Sequence, residues 1–127
     1  MGVTPYDRKT KECVFDVNFW NWRPIVEAIR GLGVLPMERI DNLHLQFCGM
    51  GLSESEARTV AVAIRAKLLP TLKDKERLLL DGSRTTVPDD YKFHTEPAGT
   101  HLNYGTDRQV LETFVICCET CNGFDVN

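Results

Sequence analysis

The longest pattern of apolar and polar positions, residues 53–69, predicts the helix around which the rest of the chain packs. Ser53 and Glu56 have the spacing of a capping box, in which both side chains accept backbone N–H groups of the first turn. Apolar residues then recur on one helical face, namely Ala57, Val60, Ala61, Ile64 and Leu68. Flanking positions are apolar as well, namely Val62, Ala63, Ala66 and Leu69. A helix so apolar normally has neighbours on more than one side, and we expect Pro70 to end or kink it.

A second helix is predicted over residues 24–32. Pro24 suits the first turn of a helix, where the missing N–H has no partner to lose. Apolar residues then share one face, namely Ile25, Ala28, Ile29 and Leu32. Gly33 follows at the position where a left-handed glycine commonly ends a helix.

A third helix is predicted over residues 106–121. Thr106 and Gln109 have capping-box spacing at its start. At its end, Gly123 can adopt the left-handed conformation, and Phe124 can fold back onto the last turn.

Alternating or β-branched stretches predict short strands at 13–17 and 43–48, with 91–94 as a candidate third. Residues 71–80 are ambiguous between helix and strand, and their charged positions favour a solvated helix. Turn formers dominate 81–105, which predicts a long loop or hairpin. Residues 1–12 are polar and predict a loose lead-in. The pattern therefore indicates one α+β domain over 1–127, predominantly helical, with three main helices around the 53–69 helix and a small sheet or hairpin.

Composition and charge limit the kinds of partner that the protein can bind and indicate where in the cell it is found. The chain has 127 residues, 43% hydrophobic and 26% charged, which suits a single globular domain. Its net charge of −3 argues against nucleic acid as a partner. No apolar run approaches the roughly 20 residues that a membrane span needs. The polar start and the odd count of five cysteines predict a cytoplasmic protein with reduced thiols.

Three cysteines near the C-terminus, Cys117, Cys118 and Cys121, are the clearest candidates for metal or redox chemistry. Cys118 and Cys121 have the spacing of a zinc-ligand pair. On a helix, however, these cysteines share an arc of about 120° with the apolar residues of that helix, which predicts buried structural side chains. We therefore expect no metal and no cofactor. The zinc alternative would take its remaining ligands from Cys13, Cys48, His94 or His101.

The long polar segment contains a second group of chemically capable residues, Asp89, Asp90, His94 and His101. Carboxylates beside histidines can hold a divalent cation or perform acid–base catalysis. The alternative is that the two aspartates stabilise a turn after Pro88. Since the sequence contains none of the common catalytic motifs, a small hydrolase or transferase using this loop is an alternative and not the preferred interpretation.

Trp20, Trp22 and Arg23 are the best candidates for contact with a partner protein. Tryptophan and arginine are enriched in binding hot spots because they combine a large area with oriented donors. Trp22 lies near the apolar face of the 24–32 helix and is expected in the core, with Asn18 and Asn21 serving as backbone caps. Trp20 is the one expected to be exposed.

The segment Asn18-x-Trp20-x-Trp22-Arg23-Pro24 resembles a group of small bacterial proteins to which no activity is assigned. The ending from Phe114 to Phe124, with Cys-Asn-Gly-Phe closing the last helix, resembles the same group. The resemblance implies a bacterial or phage origin and transfers no functional residue.

Together these features predict a non-enzymatic accessory protein that binds another protein, for example an immunity-type protein or an inhibitor. Its small size, mild acidity and lack of a catalytic motif support that interpretation. A zinc-binding domain is the first alternative.

Overall fold

The computed structural model describes residues 2–12, 15–44, 51–88, 95–97, 99 and 104–126. This part of the chain forms four α-helices, α1 (Phe19–Leu32), α2 (Met37–Leu43), α3 (Glu54–Ala63) and α4 (Arg108–Thr120). It also forms eight short strands, β1 (Gly2–Val3), β2 (Pro5–Asp7), β3 (Val17–Asn18), β4 (Gly51–Leu52), β5 (Arg77–Leu79), β6 (Arg84–Thr85), β7 (Gly105–Asp107) and β8 (Phe124–Val126). The α+β class is confirmed.

The strands pair in three small antiparallel sheets. β1 pairs with β3, β8 lies between β2 and β4, and β5 lies between β6 and β7. Of the predicted strands, 91–94 lies outside the described residues, as do residues 13, 14 and 45–48 of the other two. Where the predicted 43–48 strand is described, Leu43 instead ends α2.

The N-terminal residues, expected to be a loose lead-in, are instead paired with the C-terminus. In β2, Pro5 lies opposite Val126 and Asp7 opposite Phe124. Val3, in the preceding strand, is fully buried. Strand pairing between residues so far apart in the chain leaves no local pattern, which is why the sequence suggested a polar tail.

The carboxylate of Asp7 stabilises this pairing through hydrogen bonds, and the residue is almost completely buried. Its Oδ1 accepts the backbone N–H groups of Lys9 at 2.8 Å and Thr10 at 2.9 Å. Its Oδ2 accepts the backbone N–H of Asn122 at 2.8 Å, just after α4. The Asn122 and Thr10 N–H groups are the main cause that lowers the pKa of Asp7 far below its usual value.

This arrangement predicts that Asp7 makes the fold sensitive to acid. Because the folded-state pKa is depressed, its contribution to stability is present above about pH 4 and lost as the pH falls below that value. In Asp7→Asn, the amide oxygen can replace Oδ1 but an NH2 group meets the Asn122 N–H. We expect Asp7→Asn to have a lower Tm than wild type near neutral pH, and the difference to shrink steadily as the pH falls from about 4 to about 2.5. Thermal unfolding followed by circular dichroism across that range measures it, and a difference independent of pH would contradict the assignment.

Helix α1 begins five residues before the predicted start. The side chain of Asn18 accepts the backbone N–H of Asn21 at 2.8 Å and caps the helix. Pro24 consequently lies inside α1 and not in the predicted position at its start. The predicted end is confirmed, since Gly33 adopts φ = 69°.

Helix α3 begins as predicted. Ser53 accepts the N–H of Glu56, and the Glu56 carboxylate accepts the N–H of Ser53. The same carboxylate binds Arg39 of α2 in a two-point pair at 2.8 and 2.9 Å, and the Arg39 hydrogen bond lowers the pKa of Glu56 to about 2. After Ala63 the helix widens into a π-helical turn, Ile64–Leu68, and ends in a 3-10 turn, Leu69–Thr71.

Residues 71–80 do not form the solvated helix that their charges favoured. Arg77–Leu79 form β5, the central strand of its sheet, and Leu78 and Leu79 are buried. The run of leucines therefore determines the secondary structure here, and the charged residues before it do not. A strand in this sheet buries Leu78 and Leu79.

The cap of helix α4 is Asp107, one residue after the predicted Thr106. The Asp107 side chain accepts the N–H of Val110 at 2.9 Å, and Thr106 is instead buried in β7. At the other end, Arg58 of α3 donates to the carbonyls of Cys118 and Cys121, two of the acceptors that a helix end leaves unpaired. Gly123 has the predicted left-handed conformation, at φ = 80°.

Phe114 of α4 lies at the centre of the core. Three other aromatic rings surround it, with centroids 5.6 to 6.3 Å away, namely Phe15, Trp22 and Phe124. Phe124 thus folds back on α4 as predicted. None of the helices in the described ranges is long and apolar enough to cross a membrane.

Candidate functional site

The two tryptophans of α1 have opposite environments. They are two residues apart, so their side chains leave the helix in directions about 200° apart. Trp22 is fully buried, and its indole N–H donates to the carbonyl of Leu43 at 2.9 Å. Trp20 is 39% exposed. Trp22 is therefore a core residue, and the candidate contact at that position is excluded while the domain stays folded.

Trp20, Tyr104 and Arg23 form a stacked cluster that we call the aromatic–guanidinium surface. The rings of Trp20 and Tyr104 have centroids 4.9 Å apart and are tilted by 41°. The guanidinium carbon of Arg23 lies 5.4 Å from the centroid of the Tyr104 ring. Trp20 and Arg23 share one face of α1 because they are three residues apart.

Tyr104 is the member of this surface that sequence reasoning missed. It lies directly before β7, and β7 packs against α1. The sequence places Tyr104 in the long loop predicted at 81–105, where its neighbours along the chain suggest no role for it. Contact with Trp20 depends on the packing of β7, and no local signal could have identified it.

The surface has the chemistry of a protein-contact site. Tryptophan, tyrosine and arginine are the residues most enriched at binding hot spots. The contacts of Tyr104 with an indole and with a guanidinium restrict all three side chains before any partner arrives, which reduces the entropy lost on binding.

A network of charged residues joins α1 to α2 beside a cleft. Glu27 accepts from Arg30 at 3.1 Å and lies 2.8 Å from Nε2 of His44, while Arg30 also binds Asp41 at 2.8 Å. Burial raises the pKa of Glu27, but the His44 and Arg30 hydrogen bonds outweigh it and leave that pKa lowered. These ion pairs and hydrogen bonds connect Glu27 and Arg30 of α1 to Asp41 and His44 and so hold α1 and α2 together.

The adjacent cleft has a volume of about 430 Å³ and lies between α1 and β5. Its walls are mainly apolar, formed by Pro24, Ala28, Leu32, Leu68, Leu78 and Leu79. Glu27, Arg30, Asp81 and Arg84 also line it. The two acidic and two basic side chains give the lining of the cleft no net charge.

The three C-terminal cysteines lie in the core, as their helical spacing predicted. Cys117, Cys118 and Cys121 are each at most 5% exposed. Burial raises the pKa of Cys118. A hydrogen bond with Cys117 lowers the pKa of Cys121 to about 6, with help from the Gly123 N–H and Arg58 and against the effect of burial. The ionised form of the Cys121 thiol is therefore favoured by three groups, the Cys117 thiol, the Gly123 N–H and Arg58.

Among the residues that the structure describes, no three or more histidine, cysteine or acidic side chains are grouped as metal ligands. The further ligands of the zinc alternative, namely Cys13, Cys48, His94 and His101, lie outside the described residues. The loop-site candidates Asp89, Asp90, His94 and His101 do so as well.

The chain is an α+β domain whose described surface carries one aromatic cluster of hot-spot composition. Comparison with protein-family models, with curated proteins and with solved structures gave no match. Function is therefore inferred from the chain's own residues.

Proposed function

We propose that this protein is a protein-binding accessory, of the kind represented by immunity proteins and inhibitors. Its partner contact is the aromatic–guanidinium surface. The observation that carries the proposal is the exposure of Trp20 beside Tyr104, two residues from a tryptophan that is wholly buried.

The energetics of the surface support this proposal. An indole buries up to about 250 Å² when it is covered, so leaving Trp20 partly in water forgoes a large stabilisation. A partner that covers Trp20 recovers that stabilisation.

The expected partner face combines an apolar pocket with a carboxylate. Trp20 fills the pocket, and Arg23 reaches the carboxylate from the edge of the contact. Contact with Tyr104 holds the planar head of Arg23 at the edge of this surface, and a planar guanidinium matches the geometry of a carboxylate.

A quantitative affinity experiment tests the proposal. Wild type, Trp20→Ala and Ile116→Ala serve as baits in a lysate of the native cell, and bound proteins are quantified by mass spectrometry. Ile116 is the matched control, since it is an apolar residue of a helix and is 53% exposed. We expect one protein to be retained by wild type and by Ile116→Ala and lost from Trp20→Ala.

The purified partner then gives the magnitude by titration calorimetry. Trp20→Ala should weaken binding by about 30-fold or more, the loss typical of a hot-spot tryptophan. Arg23→Lys, which keeps the charge and loses the planar stacking, should weaken it by a smaller factor. A partner held equally by wild type and Trp20→Ala would refute the assignment of this surface.

A further inference from the structure

Cys117 and Cys121 bring two sulfur atoms together at the end of α4. The backbone N–H of Cys121 donates to the carbonyl of Cys117 at 2.9 Å, so the helical turn between them is intact. The thiol of Cys117 also donates to the sulfur of Cys121. Two sulfur atoms from different turns of the helix are therefore within hydrogen-bond distance inside the domain.

This geometry does not favour a disulfide bond. Residues four apart on a helix have Cβ atoms about 5–6 Å apart, whereas the Cβ atoms joined by a disulfide are about 3.5–4.5 Å apart. Closing that bond would distort the last turn of α4, which Arg58 holds by donating to the carbonyls of Cys118 and Cys121 at 2.5 and 2.7 Å. An atom placed between the two sulfurs joins them without moving the helix.

The charge beside the two sulfurs selects the kind of atom that fits there. Cysteine binds metal ions as the thiolate. Two thiolates and a monovalent cation carry one net negative charge, and the guanidinium of Arg58, which donates to the Cys121 sulfur, carries one positive charge. A divalent cation would leave that guanidinium unbalanced, and a buried charge without a partner is costly. Glu54 also contacts Arg58, at 3.2 Å, but its side chain is mostly exposed and such pairs contribute little.

The number of ligands agrees with this charge. Structural zinc normally takes four protein ligands, and within the described ranges no third histidine, cysteine or acidic side chain is grouped with the two cysteines. Cys117 and Cys121 are at most 5% exposed, so water is kept from adding as a further ligand. Soft thiolate ligands select Cu(I), which is stable with two of them.

The two sulfurs lie close to the surface although they are covered. Glu119 and Thr120 are exposed, and Asn122 is half-buried. Cys121 is the residue at which α4 ends. Because helix ends fray more readily than helix interiors, opening of this last turn gives an ion access to both sulfurs.

We propose that Cys117 and Cys121 bind one Cu(I) ion as a two-coordinate dithiolate, with Arg58 balancing its charge. Two S–Cu bonds form, the protons of the thiols are released to solvent, and no electron is transferred. Cys118 is not a ligand, because burial raises its pKa and keeps it a thiol. The site is separate from the aromatic–guanidinium surface and does not depend on the proposed partner contact.

Anaerobic titration of the reduced protein with Cu(I) tests the proposal. Against bicinchoninate as the competing chelator, wild type should bind one equivalent, and the X-ray absorption spectrum of the complex should show two sulfur ligands. A parallel titration with Zn(II) should show no site of comparable affinity, since two cysteines supply only half of the usual zinc ligands.

Cysteine variants locate the site. Cys117→Ser and Cys121→Ser should each weaken Cu(I) binding by more than about 100-fold, because a ligand contributes more than the 10–100-fold typical of groups around a metal. Cys118→Ser is the matched control, since it changes a buried cysteine of the same helix, and it should bind within about twofold of wild type. Cys13→Ser/Cys48→Ser removes the two remaining thiols of the chain and should also bind like wild type.

Arg58 has its own test. Arg58→Gln should weaken Cu(I) binding by about tenfold, whereas Arg58→Lys, which keeps the charge, should recover most of that loss. A role of Arg58 only in ending α4 would move the Tm of both variants and leave their Cu(I) affinities equal.

Circular dichroism verifies the folding of every variant. The proposal is overturned if Zn(II) binds as tightly as Cu(I), or if the spectrum shows nitrogen or oxygen ligands. Loss of binding in Cys118→Ser or in Cys13→Ser/Cys48→Ser, with binding retained in Cys121→Ser, would overturn it as well. The wild-type titration and its spectrum need no variant, so they decide the proposal even where a cysteine variant unfolds.

Discussion

Replacing Trp22 by alanine is expected to lower the free energy of unfolding by about 4 kcal/mol, the range typical of a buried tryptophan truncated to alanine. The indole is fully buried and stands edge-on to Phe114, with ring centroids 5.9 Å apart. Because a small domain is stable by only about 5–15 kcal/mol, this loss removes between about a quarter and four-fifths of the stability. Urea denaturation followed by circular dichroism measures the change without relying on the fluorescence of the residue removed.

A second variant separates the cavity from the hydrogen bond. Trp22→Phe keeps an aromatic ring but removes the indole N–H, which leaves the Leu43 carbonyl without that donor. We expect a loss of about 2 kcal/mol, partly from the unpaired carbonyl and partly from the smaller ring.

Trp20→Ala is the matched control, since the same change is made two residues away at an exposed position. Its effect on stability should stay near 1 kcal/mol, the coupling expected of its aromatic contact with Tyr104. If Trp20→Ala proved as destabilising as Trp22→Ala, the division between core and contact residue would be wrong.

The contrast between Trp20 and Trp22 shows which structural features can be predicted from the sequence. Helical periodicity alone put Trp22 near the core face and left Trp20 outside it, because that inference needs only the angle between successive residues. The same reasoning found the capping box of Ser53 and Glu56 and the left-handed glycine at the end of α1. Each of these signals lies within a few residues of chain.

The parts that were missed depend on distant contacts. β2 and β8 are each three residues long and pair across almost the whole chain, so neither shows alternation long enough to recognise. The aromatic–guanidinium surface was missed in part for the same reason, since Tyr104 reaches Trp20 only through the packing of β7 on α1. Arg58 is a further example, because its role at the end of α4 appears only when α3 and α4 are packed together.

Gly51 marks the place where these distant contacts are tightest. A Cβ atom added at Gly51 would lie within 3 Å of three backbone atoms of β8, namely the carbonyl carbon and oxygen of Phe124 and the Cα of Asp125. Backbone cannot rotate away as a side chain can, so β4 would have to move from β8. The Gly51 carbonyl also accepts from Arg39 at 2.6 Å, and that pairing would be displaced with it.

We therefore expect Gly51→Ala to destabilise the fold by about 3 kcal/mol, at the upper end of the usual cost of overpacking. Gly31→Ala is the control, because a Cβ there meets no atom within 4 Å and the residue lies inside α1. In a helix, alanine is favoured over glycine by up to about 1 kcal/mol, so this variant should be neutral or more stable. Urea midpoints of the two variants should move in opposite directions, and a Gly51→Ala protein as stable as wild type would show that β4 and β8 do not approach as closely as described.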